Sequence, residues 1–190
     1  MSPLEQKIES YLGISGNQAT TLSEKFISTK MIKGDFFVRE DKQCNQLSFI
    51  KSGNLRIFKI TDQGKEITQW ISTDGDLVTE LNSFIFDQPS RWNIQALSDV
   101  ELHSLSKTEY HDLPQLVPIW PELEKRFLAK CFITLEDRVY SFLSMTAEER
   151  YNHLFTYKKE LFNQIPLNYI ASMIGMTPET LSRIRAKSIS

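Results

Sequence analysis

Cysteine is nearly absent: Cys44 and Cys131 are the two in 190 residues. That excludes a disulfide scaffold and a four-thiolate zinc or iron–sulfur centre, each of which needs about four such ligands. Histidine is also scarce, and His103, His111 and His153 stand alone, so no metal site and no haem ligand is expected. No run approaches the roughly eighteen apolar residues of a membrane span. The opening MSPLEQKIES carries acids and no apolar run, unlike a signal peptide or anchor. A cytoplasmic location with two reduced thiols, away from membranes, is the expectation. Bulk basicity is missing too: the net charge is -2, so any nucleic-acid affinity must come from a local patch. No Ser-His-Asp, Cys-His or phosphate-loop constellation is present, and an enzyme on a cupin-like barrel would need clustered histidines plus an acid. Of the three histidines only His103 lies in the sheet-forming region, so the chain is not expected to be an enzyme.

What is present is order along the chain. With 41% hydrophobic residues, the chain can bury a core and form two modules of unequal size. Residues 3–12 and 17–29 read as helices, with Gly13 and Gly16 at the break. From Met31 to Ser106 the pattern becomes short strands: QLSFI, LRIFKI, EITQWIS, WNIQAL and VELHSL, separated by turn clusters such as Ser52-Gly53-Asn54 and Asp62-Gln63-Gly64. Regular strands of this kind predict an antiparallel sandwich or barrel, a module referred to as a β-roll. Beyond Thr108 the chain turns helical, and a long helix is expected over about 119–145, with Pro121 in its first turn. Leu128, Phe132, Leu135, Val139 and Phe142 recur in steps of four and three, a heptad seam suited to a second copy of the same helix. Phe127, Cys131 and Leu143 give a second stripe, expected to face the β-roll. Thr146 and Glu149 form a capping box for the helix AEERYNHLFTY.

The tail IPLNYIASMIGMTPETLSRIRAK reads as two helices joined by a tight turn. Gly175 supplies the left-handed end of the first, Thr177 is the N-cap of the second and Pro178 sits at N1. Leu181 and Ile184 face inward, which leaves Glu179, Thr180, Ser182, Arg183 and Arg185 outside. Those side chains are suited to a major groove, where Arg pairs with guanine and Glu accepts from cytosine. From Ile165 onward Arg183, Arg185 and Lys187 stand against Glu179, a net +2. One copy should bind DNA weakly, and two copies better.

On IKSGNLRIFKITDQGKEITQWISTDGDLVTEL and IASMIGMTPETLSRIRAK, the chain resembles the Crp/Fnr family of bacterial transcription regulators over roughly Met31 to Lys187. The resemblance implies an α+β protein: a cyclic-nucleotide-binding-like β-roll (a double-stranded β-helix), a long dimerisation helix, then a helix-turn-helix. Residues 1–145 would be the sensor and dimerisation module and residues 146–190 the DNA-binding module. A homodimer would read a two-fold symmetric site in double-stranded DNA through Thr177, Glu179, Thr180, Ser182, Arg183, Arg185 and Lys187. RNA polymerase becomes a further partner if the regulator activates. The family's β-hairpin wing after the second helix is not expected here. In the sensor the resemblance puts Glu80, Leu81, Ser90 and Arg91 at the ligand site, but Thr79 replaces the family's glycine. Ser90 stands where its phosphate-binding arginine belongs, with Arg91 one residue late. No cofactor is therefore expected, and a cyclic nucleotide is the alternative should the loop 86–89 shift the register. A small-molecule sensor that acts on a protein partner without binding DNA is the second functional reading.

Overall fold

The computed structural model describes residues 1–189, with side chains through Lys187. Helices α1 (Pro3–Leu12) and α2 (Asn17–Ser23) precede strands β1 (Ile27–Met31), β2 (Phe36–Val38), β3 (Gln46–Ser52), β4 (Leu55–Ile60), β5 (Glu66–Ser72) and β6 (Leu77–Val78). The short helix α3 (Leu81–Phe86) leads to β7 (Asn93–Ala96) and β8 (Val100–Ser106). The remaining elements are α4 (Lys107–Leu116), α5 (Trp120–Ser144), α6 (Ala147–Tyr157), α7 (Leu161–Gln164), α8 (Leu167–Met173) and α9 (Pro178–Ile189). Among the described residues no helix is long and apolar enough to cross a membrane.

The strands form two four-stranded antiparallel sheets, ordered β1-β8-β3-β6 and β2-β7-β4-β5, as a β-roll. Contacts group the chain into two compact units. The first comprises Met1–Ile57 and Ser72–Phe132, and the second Phe58–Ile71 with the chain from Ile133 onward.

In the first unit, β3 and β8 are apolar on both faces because both faces are covered. Ile50, Val100 and Leu102 pack inside the roll with Leu55, Val78 and Ile94. On the other face Leu47, Phe49 and Leu105 pack against Ile8, Leu22, Leu113 and Trp120 from the helices. Polar groups inside the roll are paired: the Ser104 hydroxyl lies 2.8 Å from Thr29 Oγ1 on β1 and accepts from Ser48 Oγ on β3 at 2.8 Å. That pairing explains why the helix expected over 17–29 stops at Ser23. Ile27 pairs with Ser104 and Met31 with Val100, so the segment is an edge strand, while Leu22 and Phe26 still reach the helical core. The capping box of Ser106 and Glu109 starts α4 as a helix of its own ahead of the long helix, with Pro114 inside it.

The second unit is built on α6 to α9 and the C-terminal half of α5. Ile170, Ala171, Leu181 and Ile184 are buried, and Tyr151, Phe155 and Phe162 form a ring cluster with centroids 5.3–5.5 Å apart. The capping box at Thr146 and Glu149 forms as expected and starts α6. The Thr68 amide donates to Ser172 Oγ at 2.9 Å, tying β5 to α8. One expectation fails: Leu143 is 82% exposed, so the second stripe of α5 is not covered along its length.

Two turn glycines separate strain from crowding. Gly53 and Gly64 both have left-handed φ, but a Cβ at Gly53 would lie 2.4 Å from the Asp99 carbonyl oxygen, whereas one at Gly64 would meet nothing. Gly64→Ala should therefore cost about 1–2 kcal/mol, the left-handed penalty alone. Gly53→Ala should cost about 3–5 kcal/mol, because the backbone at Asp99, just before β8, must move. Chemical denaturation followed by circular dichroism checks the difference, and equal costs would show that the Asp99 contact is soft.

Candidate nucleic-acid interface and sensor site

Helix α8 ends in a paired turn. Gly175, at φ 69°, donates its N–H to Ser172 O at 3.2 Å, and Met176 donates to Ala171 O at 2.9 Å. This double closure at a left-handed glycine is a Schellman end. Two residues on, Thr177 Oγ1 accepts from the Thr180 amide at 3.2 Å and caps α9, which starts at Pro178.

Two arginines hold the turn from outside. Arg150 of α6 donates to Ile174 O at 2.8 Å, Met145 O at 2.7 Å and Gly175 O at 3.3 Å. Arg138 of α5 donates to Met173 O at 2.8 Å. Both place positive charge at the C-terminal end of α8, where the helix dipole favours it. The Phe142 ring lies under the turn, so that a Cβ on Gly175 would come within 2.4 Å of it. Sequence reasoning missed Arg138 and Arg150, which look like ordinary solvated helix charges and whose partners Met173 and Ile174 lie 35 and 24 residues away, respectively.

On α9, Leu181 and Ile184 are buried as expected, and Glu179, Ser182, Arg183 and Lys187 are exposed on the opposite side. Hydrogen bonds from its own amide and from the Thr177 hydroxyl hold the Glu179 carboxyl below its usual pKa, so it is an ionised acceptor. Two expected contacts differ. Thr180 is half-buried and its hydroxyl is 3.2 Å from Thr177 Oγ1, within the cap. Arg185 is also half-buried, its guanidinium 6.0 Å from the Phe162 ring, so it leans on α7 rather than facing outward.

The heptad seam of α5 lies bare in the single chain. Leu135 and Val139 are 51% and 50% exposed, and Leu128 and Phe132 are exposed with them. Phe142, the last seam position, is shared with the Gly175 turn.

In the first unit, Glu80 is only 5% exposed and caps α3, its carboxylate accepting from the Ser83 amide at 2.8 Å. Leu81 is half-buried. Ser90, 1% exposed, donates its hydroxyl to Trp92 O at 2.7 Å, while Arg91 points to solvent. Asn82 Nδ2 donates to Pro89 O at 3.1 Å, so α3 and the segment leading to Arg91 are linked. The expected residues thus converge, but Glu80 and Ser90 turn inward onto the protein's own groups and Arg91 turns away. These residues do not fit a cyclic phosphate, which needs a positive partner when buried. No group of three or more His, Cys, Asp or Glu that could hold a metal occurs among the described residues.

Residues 29–115 match the family model of the cyclic nucleotide-binding domain. No curated protein sequence matches the chain significantly. Among solved structures, the c-di-GMP responsive global regulator CLP of Xanthomonas campestris superposes with a TM-score of 0.70 at 16% identity, covering 92% of this chain and 91% of that one. FixK2 from Bradyrhizobium japonicum gives 0.70 at 19% identity, over 85% and 83%. The catabolite activator protein of Thermus thermophilus gives 0.60 at 22% identity, over 92% and 84%. The chain therefore has the fold of these Crp/Fnr regulators, a cyclic nucleotide-binding β-roll followed by a long helix and a helical C-terminal region.

Proposed function

We propose that this chain is a homodimeric DNA-binding transcription regulator of the Crp/Fnr type, with residues 1–145 as the sensor and dimerisation module and residues 146–190 as the DNA-binding module. The observation that carries the reading is the outward face of α9. Glu179, Ser182, Arg183 and Lys187 stand exposed on a capped helix whose other side is fixed by Leu181 and Ile184. In a major groove, the Arg183 fork pairs with guanine O6 and N7, the ionised Glu179 accepts from cytosine N4, and Lys187 and Thr177 meet the phosphates. Arg185, leaning on Phe162, serves α9 itself more than the bases.

The bare seam of α5 supports the homodimer. Apolar residues at heptad spacing on an exposed helix face are stabilised by a second copy of that face. Two α9 helices related by such a dimer read half-sites about 34 Å apart, one turn of DNA. The inward turn of Glu80 and Ser90 supports a sensor that does not use a cyclic nucleotide.

Three outcomes test this. Selection from a random duplex library should enrich a two-fold symmetric site, with Arg183→Ala weakening specific binding by about 1–3 kcal/mol. Unchanged specific binding in that variant removes α9 from the groove. Leu135→Glu should raise the dimer dissociation constant roughly a hundredfold, about 3 kcal/mol, in analytical ultracentrifugation, because it buries an unpaired charge in the seam. Calorimetric titration with 3′,5′-cyclic AMP should give no saturable heat. Saturable heat that is lost in Glu80→Gln would return the nucleotide to the sensor.

A further inference from the structure

A cavity of about 490 Å³ opens within the second unit, walled by β5, α5, α6 and the end of α8. Its volume is that of a small-molecule site. The lining is mainly apolar, with the rings of Trp70, Phe142 and Tyr157, and it also carries the cations Arg138, Arg150 and Lys158. The Arg138 guanidinium is 5.6 Å from the Trp70 ring and 5.3 Å from the Phe142 ring, and the Lys158 ammonium is 5.7 Å from Trp70. Against these cations the lining has one carboxylate, Asp137. Among the described residues, neither Arg138 nor Arg150 forms an ion pair with Asp137 or with any other acid.

The two arginines are not equivalent. Arg150 directs its donors to three carbonyls at the helix ends. Arg138 directs one N–H to Met173 O. A guanidinium carries five such donors in a planar fork that matches a carboxylate. Arg138 is also largely withdrawn from water, which lowers its pKa. A cation that is partly desolvated, without an ion pair and flanked by aromatic rings is a binding group for an anion with an apolar body.

We propose that this cavity binds a small aromatic carboxylate, its ring between Trp70, Phe142 and Tyr157 and its carboxylate on Arg138. The occupant touches the groups that fix the turn before α9, since Phe142 lies against Gly175 and Arg138 holds the Met173 carbonyl. The site does not depend on α9 reading DNA.

The test uses the full chain, labelled with nitrogen-15, and two probes with the same ring system: 1-naphthoate and the uncharged 1-naphthalenemethanol. The Trp70 indole N–H signal, assigned by its loss in Trp70→Phe, reports occupancy. 1-Naphthoate should shift that signal saturably with one-to-one stoichiometry and bind at least tenfold tighter than 1-naphthalenemethanol. Arg138→Gln should weaken 1-naphthoate at least tenfold and leave 1-naphthalenemethanol unchanged. If Arg138→Gln does not fold, the ratio of the two probes on the unmodified chain decides by itself. Equal affinity for the two probes, no saturable shift at Trp70, or undiminished binding of 1-naphthoate to a folded Arg138→Gln overturns the proposal.

Discussion

The C-terminal end of α8 is the constraint on which the second unit depends. A helix end leaves carbonyls without partners, and each must find a donor or water. Here Ala171 and Ser172 are met by the turn itself, and Met173, Ile174 and Gly175 by two arginines reaching in from α5 and α6. Arg150 also holds the Met145 carbonyl between α5 and α6, so a single side chain joins two helix junctions. Helix α9 begins three residues after Gly175, and the direction in which it leaves is set by what fixes these carbonyls. A lysine in place of Arg150 would bring the charge but not the fork that spans three acceptors.

The helix-turn-helix was legible because its signals are local. Gly175, Thr177, Pro178, Leu181 and Ile184 each act within one or two turns of their own position. The capping box at Thr146 was legible for the same reason. What escaped was long-range. The strand Ile27–Met31 is defined by Ser104, some seventy-five residues on, and by itself it continues a helical stripe. Arg185 was placed outward because nothing in the sequence announced α7 and its Phe162 beside it. The roles of Arg138 and Arg150 depend on packing that no spacing rule encodes.

At the β-roll, the residues expected to meet a ligand bond instead to the protein's own groups. The roll keeps its sheets, its α3 and a glutamate at the start of that helix, yet the carboxylate is engaged by the Ser83 amide. Ser83 is in turn tied to the Cys44 amide and to Gln43, so the position is built into the local hydrogen-bond network. Function resides in the residues grafted on a fold, and here Glu80 and Ser90 are engaged by backbone groups of their own chain.

The three hydroxyls of Thr29, Ser104 and Ser48 have a consequence for how the roll assembles. Sliding β3 by one residue along β8 would move Ser48 toward the apolar helices and Phe49 into the roll, since successive side chains alternate faces. The Ser48 hydroxyl would lose its Ser104 partner and be buried among apolar side chains, at about 1–3 kcal/mol, on top of the misplaced rings. A chain of small polar contacts thus acts as an index mark between strands far apart in sequence, and misaligned pairings are disfavoured.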